Sequence, residues 1–209
     1  MKNIILIAPP AAGKGTLSKL LSDNYGYTSI STGELLRKKA KSDNSLRSKM
    51  NEGKLISDEM VFSILKEEIT SLQDKPYILD GFPRTVEQSK MYEELVNDMN
   101  KDTFVVIYLN PPKDELVKRI TTRIICPLCE RSYSMVHEKL MPKQKNLCDK
   151  CNVELVKRED DTEESFNNRY NEYLQKTSPL VEHYKNENVL YTISSLNVDD
   201  VYEEACKLI

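Results

Sequence analysis

One stretch near the start of the chain decides the fold: Ile4-Ile5-Leu6-Ile7-Ala8-Pro9-Pro10-Ala11-Ala12-Gly13-Lys14-Gly15-Thr16. Its apolar beginning is typical of a buried strand, the paired prolines end that strand, and a helix is predicted from Lys14 to Leu21. In a strand–loop–helix unit of this kind, backbone N–H groups at the start of the helix can cradle phosphate oxygens. Lys14 would add a positive charge, and the Thr16 hydroxyl would hold Mg²⁺. The alternative is an ordinary strand-to-helix turn of an α/β protein.

Two alanines depart from the usual phosphate-loop pattern. Such loops usually have glycine where this chain has Ala8, and often another glycine where it has Ala11. Because alanine lacks glycine's access to positive φ, the loop is expected to close without a positive φ at Ala11.

The composition is that of a globular protein with one main domain. At 209 residues, with 39% hydrophobic and 30% charged residues, the chain can bury a sizeable core and still carry small inserted lobes. Its apolar runs are too short for a membrane span and its N-terminus does not resemble a signal peptide, so a soluble, cytoplasmic protein is expected. The net charge of −3 predicts no general attraction to nucleic acid or to a membrane surface.

Arginine is scarce among the basic residues. Of the 30 basic residues, 22 are Lys and eight are Arg. Each Arg is therefore a candidate for a place that needs a planar, bidentate cation, although ordinary surface positions are the alternative. Six of them fall inside motifs: Arg37, Arg84, Arg119, Arg123, Arg158 and Arg169.

The middle of the chain predicts a small helical lobe followed by another buried strand. Ser31 and Glu34 have capping-box spacing at the start of a helix, and Ser57 is expected to cap a longer helix. The next predicted strand, 77–79, ends on Asp80. A carboxylate at that end of a parallel strand, beside a phosphate loop, is where Mg²⁺ or its waters are held.

Asp80 opens a second motif, Asp80-Gly81-Phe82-Pro83-Arg84-Thr85, with Gln88 three residues further on. Glycine allows a ligand to approach the backbone, Arg84 presents its guanidinium, and the Gln88 amide could pair with the edge of a base. Lys14 and Arg84 are both expected to face solvent in the empty protein.

Four cysteines predict a metal site. Cys126-x-x-Cys129 and Cys148-x-x-Cys151 are separated by eighteen residues, which is typical of a tetrahedral structural Zn²⁺ site with four thiolates. Disulfide bonds are the alternative, which the expected location disfavours. The remaining Cys206 is interpreted as core packing, and both histidines, His137 and His183, as surface or packing residues.

These motifs together resemble the adenylate kinase family, in its long form with a zinc-bearing LID, over nearly the whole chain. The resemblance implies conversion of ATP and AMP into two ADP by a three-layer phosphate-loop fold with a five-stranded parallel sheet. It also implies a division into three core segments (1–30, 58–121 and 162–209), a helical lobe for the monophosphate (31–57) and a zinc-ribbon LID (122–161). A monomer is expected, with ATP and AMP rather than nucleic acid or membrane as partners.

The resemblance also implies the roles of individual residues. It assigns catalysis to Lys14, Arg84, Arg123, Arg158 and Arg169. It assigns ATP to Ala11, Ala12, Gly13, Lys14, Gly15, Thr16, Arg119, Arg123, Ser132 and Tyr133. It assigns AMP to Thr32, Arg37, Lys54, Leu55, Ile56, Gly81, Phe82, Pro83, Arg84, Gln88, Arg158 and Arg169. It assigns Mg²⁺ to Thr16 and Asp80, and Zn²⁺ to Cys126, Cys129, Cys148 and Cys151.

The chain departs from the family pattern at two further places. Thr122-Arg123-Ile124 stands where Gly-Arg-Arg is usual, and Leu196 lies in an adenine loop that usually contains glycine. Three other functions stay open: a kinase for UMP, CMP or GMP, a degenerate paralogue that binds nucleotide without transfer, and a zinc-ribbon nucleic-acid binder. Thr32 and Gln88 favour AMP, and the retained Lys14 argues against the degenerate paralogue.

Overall fold

The computed structural model describes residues 1–51, 56–99, 104–135 and 138–209. Its main sheet has five parallel strands in the order β2-β3-β1-β4-β7. The strands, including a separate antiparallel pair β5–β6, are β1 (Asn3–Ile7), β2 (Thr28–Ser31), β3 (Tyr77–Asp80), β4 (Phe104–Leu109), β5 (Arg123–Ile125), β6 (Ser132–Ser134) and β7 (Leu190–Ile193).

Helices connect these strands. They are α1 (Lys14–Tyr25), α2 (Thr32–Ala40), α3 (Asn44–Asn51), α4 (Asp58–Ser71), α5 (Val86–Asp98), α6 (Lys113–Thr122), α7 (Glu163–Glu172), α8 (Pro179–Asn186) and α9 (Val198–Cys206). A short 3₁₀ helix covers Glu138–Leu140, and a π-helical turn covers Tyr173–Thr177. None of the helices in the described ranges is both long and apolar enough to cross a membrane.

The central strand β1 is buried on both faces, and its side chains divide between two halves of the core. Ile5 and Ile7 pack on one face with residues of α4, α5 and α8, whereas Ile4 and Leu6 pack on the other with residues of α1, α6 and α9. Alternate side chains of a strand point to opposite faces, so one apolar run serves both layers. The predicted three-layer α/β fold with a five-stranded parallel sheet is confirmed.

The strand register brings the sequence motifs to one edge of the sheet. Leu6 of β1 and Ser31 of β2 both lie opposite Asp80 in β3. Because the strands are parallel, the loop after β1, the start of α2 and Asp80 all lie at the carboxyl end of the sheet, where ligands of such folds bind.

The helix boundaries confirm some expectations and correct others. The Ser31 hydroxyl accepts a hydrogen bond from the Glu34 amide, as the capping-box spacing predicts. Ser57 precedes α4, but its side chain makes no capping bond. A π-helical turn links α7 to α8, and Pro179 takes the first position of α8, where no N–H is needed.

Residues 122–161, called the insertion below, contain a second, two-stranded sheet that is separate from the main one. The hairpin β5–β6 is extended by an isolated bridge between Ile125 and Val156. Among the described residues of the insertion, the buried apolar side chains of Ile124, Tyr133 and Leu155 pack around the buried cysteines Cys126 and Cys148. The four predicted metal-ligating cysteines therefore lie in this apolar cluster.

Candidate active site

Two residues of the loop between β1 and α1 have a left-handed backbone conformation, with positive φ. Gly13 has φ 101° and Ala11 has φ 64°, so the expectation that the loop would close without positive φ at Ala11 is wrong. The turn requires this backbone conformation, and alanine adopts it at a cost of about 1 kcal/mol. The tight turn is further held by a hydrogen bond from the Ala12 amide to the Pro9 carbonyl at 3.4 Å.

Lys14 lies over this loop rather than pointing to bulk solvent. Its Nζ donates to the Ala8 carbonyl at 3.3 Å, and the side chain is partly buried. Burial lowers the pKa of Lys14, while the Asp80 carboxylate acts in the opposite direction. The expectation of a solvent-facing Lys14 is therefore corrected: the ammonium group forms part of a cleft wall.

Asp80 lies beside the first turn of α1. A Cβ added to Gly15 would stand 3.6 Å from Asp80 Oδ2, which places the carboxylate next to the residue that precedes Thr16. Both Asp80 and Thr16 line the cleft. Carboxylate and hydroxyl oxygens suit Mg²⁺, so these two residues fit the ion that accompanies ATP.

Gly81 organises the neighbouring part of the cleft. Its carbonyl accepts from Thr32 Oγ1 at 2.8 Å and from Arg84 Nε at 2.9 Å. Gly81 has φ +87°, and an added Cβ would lie 2.9 Å from Thr32 Oγ1, so no larger residue fits there without displacing its neighbours. Arg84, like Lys14, is partly buried rather than facing solvent, and burial lowers its pKa.

Gln88 is more deeply buried than its predicted contact with a base suggests. Its Oε1 accepts from the Arg84 amide at 2.7 Å, and its Nε2 donates to Asp58 Oδ1 at 2.7 Å. The Thr85 hydroxyl donates to the same Asp58 carboxylate at 3.1 Å. In this structure Gln88 therefore holds the backbone of Arg84, and Asp58 is a supporting residue that sequence reasoning missed.

The other residues that the resemblance assigns to AMP do not all line the cleft. Ile56 and Pro83 line the cleft, whereas Phe82 is fully buried and packs near Phe62, with ring centroids 6.3 Å apart. Lys54 and Leu55 lie outside the described residues.

Three of the predicted arginines are paired with two aspartates at the end of the insertion. Arg123 Nε donates to Asp161 Oδ2 at 2.7 Å, and Arg158 Nη2 donates to Asp160 Oδ2 at 2.8 Å. Arg169 reaches both aspartates, most closely through the Asp160 backbone carbonyl at 2.8 Å. Asp160 and Asp161 were not predicted as site residues.

The charge of Asp160 depends on this arrangement. Burial alone would raise the pKa of its carboxyl group, but Arg158 and then Arg169 outweigh that effect and lower the pKa to about 2. Asp160 therefore stays ionised and keeps like-charged guanidinium groups close together. A group of arginines held in this way can bind phosphate oxygens, for which a planar cation with several donors is well suited.

Arg119 connects the phosphate loop to the loop after β7. It donates through Nη1 to the Ala12 carbonyl at 3.3 Å and through Nη2 to the Leu196 carbonyl at 3.0 Å. Since the acceptor at residue 196 is a backbone oxygen, this contact does not depend on a glycine there. Its Nε is buried and has no partner among the described residues.

Most of the residues predicted for the site line one cleft of about 930 Å³. Its walls include the phosphate loop, the start of α2, residues 80–84, the arginines described above and part of the insertion. Ser132 and Tyr133 also line it, although the Tyr133 hydroxyl points to the cysteines and donates to Cys148 Sγ at 3.4 Å. The volume is at the upper end of the usual range for small-molecule sites, about 300–1,000 Å³.

The four cysteines of the insertion are free thiols whose geometry fits one metal ion. Their Sγ atoms lie within 4.8 Å of one another, and Cys129 Sγ is 3.7 Å from Cys148 Sγ. A tetrahedron with Zn–S bonds of about 2.3 Å has edges of about 3.8 Å. The amides of Cys129 and Cys151 donate to Cys126 Sγ and Cys148 Sγ, each at 3.4 Å. The disulfide alternative is contradicted.

Comparisons with known proteins agree with this geometry. A family model described as adenylate kinase matches residues 6–189. An adenylate kinase of Archaeoglobus fulgidus is 39% identical over 208 residues, which cover 97% of this chain and 95% of that protein. Adenylate kinases of Thermotoga neapolitana and Methanosarcina barkeri are 36% and 38% identical, over 100% and 97% of this chain and over 97% and 95% of their own lengths.

Proposed function

The chain belongs to the adenylate kinase family and is a nucleoside monophosphate kinase, and on this premise we propose that it transfers the γ-phosphoryl group of ATP reversibly to AMP. Two ADP molecules are the products. The observation that carries the proposal is the convergence of cations on one cleft, which is lined by Lys14, Arg37, Arg84, Arg119, Arg123, Arg158 and Arg169.

The chemistry needs positioning and charge neutralisation more than a general base. An oxygen of the AMP phosphate attacks the γ-phosphorus, the bond from that phosphorus to the β–γ bridging oxygen breaks, and the electron pair leaves with ADP. A phosphate monoester is already largely dianionic at pH 7, so its attacking oxygen carries no proton. The transition state is loose and spreads negative charge over the transferred group, which fixed cations stabilise.

Each side of the cleft has a role in this proposal. Lys14 and the amides of the phosphate loop bind the phosphates of ATP, with Arg119 and Arg123 beside them. Mg²⁺, held through Thr16 and Asp80, supplies charge neutralisation on the ATP phosphates. Arg84, Arg158 and Arg169 bind the phosphate groups between the two nucleotides, and Arg37 binds the phosphate of AMP.

Selection of AMP is assigned to the opposite wall. Ile56 and Val61 line it and offer apolar contact to a base, while Thr32 and Gln88 supply polar groups. For Gln88 to meet the base edge, its amide would exchange the Asp58 or Arg84 contact for one to the nucleotide. The relatives named adenylate kinase support the choice of AMP over other monophosphates.

Closure of two lobes would keep water from the γ-phosphate. We assign residues 31–57 to the monophosphate lobe and the insertion to the LID, with the core formed by 1–30, 58–121 and 162–209. Water exclusion matters because hydrolysis competes with transfer when an active site stays open. All groups the reaction needs lie in one chain, which is consistent with a monomer.

Zinc has a structural role in this proposal. Four thiolates complete a tetrahedron and leave no position for a reacting water. In the described part of the insertion, few apolar residues are buried beyond Ile124, Tyr133 and Leu155, so a metal ion would supply much of its stability.

The test is a coupled assay of ADP formation from ATP with AMP, GMP, CMP or UMP as acceptor. We expect the highest kcat/KM with AMP. Higher kcat/KM with a pyrimidine monophosphate would favour the UMP/CMP kinase alternative, and no transfer to any acceptor would favour the degenerate paralogue.

A further inference from the structure

A second group of side chains that could bind a metal ion lies outside the insertion. It consists of Glu93 on α5, His183 on α8 and Glu187 just after α8. Each offers one ligand atom, and these three atoms lie within 4.8 Å of one another. His183 Nε2 is 3.2 Å from Glu93 Oε1 and 3.2 Å from Glu187 Oε1. His183 and Glu187 are four residues apart, so they lie on the same side of the helix.

This cluster is separate from the nucleotide cleft. None of its three members lines that cleft, and the helices α5 and α8 cover the sheet face that contains Ile5 and Ile7. His183 was interpreted from sequence as a surface or packing residue. The structure surrounds its Nε2 with three oxygen atoms, two from carboxylates and one from Ser89 at 3.1 Å.

We propose that Glu93, His183 and Glu187 form a binding site for a divalent transition-metal ion such as Zn²⁺ or Co²⁺. One imidazole nitrogen and two carboxylate oxygens are a donor set that these ions accept. A tetrahedron with bonds of about 2.0–2.1 Å has edges of about 3.3 Å, close to both separations around His183 Nε2. Water would complete the coordination. Mg²⁺ is disfavoured because it prefers oxygen ligands throughout.

The close approach of two carboxylates to one imidazole nitrogen also fits a metal ion. Glu93 and Glu187 each place an oxygen 3.2 Å from His183 Nε2. A divalent ion between these three atoms would offset the repulsion between the two carboxylates. Imidazole bound to metal through Nε2 keeps its other nitrogen free for a hydrogen bond.

Glu93 is already oriented for this role by a buried neighbour. The Ser89 hydroxyl, which is fully buried, lies 2.7 Å from Glu93 Oε1 and 2.7 Å from the hydroxyl of Tyr184. A carboxylate fixed by such a contact loses little further freedom when it binds metal. Partners of this kind, which orient a ligand without touching the ion, commonly affect metal affinity by about 10- to 100-fold.

The ion would join two helices that support the active site from behind. Gln88 on α5 accepts from the Arg84 amide, and Thr177, just before α8, donates to the Arg84 carbonyl at 2.9 Å. A metal that links α5 to α8 would therefore brace the backbone of Arg84 without contacting nucleotide. Its expected effect is on thermal stability, since binding to the native state alone raises the free energy of unfolding.

Equilibrium dialysis against Zn²⁺, with metal counted per chain, tests the proposal. We expect two equivalents in the unsubstituted protein, and one equivalent in Glu187→Gln and in His183→Gln. Glu182→Gln is the matched control, because it removes a carboxylate from the same helix at an exposed position outside the cluster, and it should keep two. Cys148→Ser/Cys151→Ser should keep the site at Glu93, His183 and Glu187 and so retain one equivalent.

A melting curve with and without added Zn²⁺ supplies an independent readout. Zinc should raise the melting temperature of the Cys148→Ser/Cys151→Ser protein, and Glu187→Gln in that background should abolish the shift. Glu187 is exposed on the surface, so this substitution leaves the packing of α8 intact. A single zinc equivalent in the unsubstituted protein that disappears in Cys148→Ser/Cys151→Ser, or two equivalents in both His183→Gln and Glu187→Gln, would overturn the proposal.

Discussion

Arg37 Nη2 lies 3.2 Å from Glu130 Oε2, and this ion pair joins α2 to the insertion across the nucleotide cleft. Each side chain keeps somewhat more than a quarter of its surface exposed, at 27% for Arg37 and 28% for Glu130. The Glu130 carboxylate therefore binds the same guanidinium group that, in the proposed mechanism, binds the phosphate of AMP. AMP and Glu130 would compete for Arg37.

Replacement of Glu130 by Gln should strengthen AMP binding. The substitution removes a carboxylate that the phosphate must displace, and a partly exposed pair of this kind contributes about 0.2–1 kcal/mol. We expect the KM for AMP to fall about two- to fivefold, with the KM for ATP little changed, in steady-state kinetics. Glu154→Gln, at an exposed position in the same insertion, is the control. A higher KM for AMP in Glu130→Gln would mean that Glu130 assists AMP binding.

Asp160 should stabilise the protein in a pH-dependent manner. Its folded-state pKa of about 2 lies below the ordinary value of 3.8, so its contribution is complete above pH 4 and is lost as the pH falls toward 2. At neutral pH, Asp160→Asn should lower the free energy of unfolding by about 2 kcal/mol. The measurement is denaturant unfolding of both proteins between pH 7 and pH 3.

The difference between these two unfolding curves should shrink as the pH falls. Glu159→Gln, which changes an exposed neighbouring carboxylate, should alter stability by less than about 0.5 kcal/mol at every pH. A deficit of Asp160→Asn that stays constant from pH 7 to pH 3 would show that the charge of Asp160 is not the stabilising feature.

Ala11→Gly should relieve backbone strain in the phosphate loop. Ala11 has φ 64°, a conformation that disfavours alanine by about 1 kcal/mol and that glycine adopts freely. For a chain of this size, the melting temperature should rise by about 2–4 °C in calorimetry. Ala12→Gly is the matched control and should destabilise, because Ala12 is buried and is not among the residues with positive φ. If Ala11→Gly and Ala12→Gly lower the melting temperature equally, the backbone at Ala11 is not strained.

Loss of zinc ligands should lower the thermal stability of the protein without abolishing phosphoryl transfer. Cys148→Ser together with Cys151→Ser removes two of four thiolates, so we expect lower zinc content and a lower melting temperature, with phosphoryl transfer retained at low temperature. Cys206→Ser, which changes a cysteine outside the cluster, is the control for zinc content. An unchanged melting temperature would contradict the zinc assignment, and loss of transfer in a folded insertion would contradict a purely structural role.

The sequence predicts the sheet and the phosphate loop because their determinants are local. The apolar run of β1 and the glycines of the loop lie within a few residues of one another, and each Cys-x-x-Cys pair spans four residues. Ala11 is the exception: alanine by itself favours a negative φ, but the turn that joins β1 to α1 imposes a positive φ at this residue.

Contacts between distant segments could not be predicted in the same way. Asp58 and Gln88 are 30 residues apart, and Arg37 and Glu130 are 93 residues apart. Asp160 and Asp161 carried a weak local signal, because they closely follow Arg158, which the family resemblance assigns to catalysis and to AMP. The exposure of Lys14 and Arg84 was misjudged for a related reason: burial depends on how the cleft walls come together.

Transfer of a phosphoryl group between two nucleotides in this cleft can be tested directly in a single-turnover experiment with ATP labelled in its γ-phosphate and excess AMP. We expect the label to appear in the β-phosphate of ADP, with negligible inorganic phosphate. We expect Lys14→Ala and Arg84→Ala to slow this step by about 10²-fold or more while remaining folded. Lys66→Ala and Arg47→Ala, at exposed positions, should leave it unchanged. Release of the label mainly as inorganic phosphate, or unchanged transfer in Lys14→Ala, would contradict the proposed transfer.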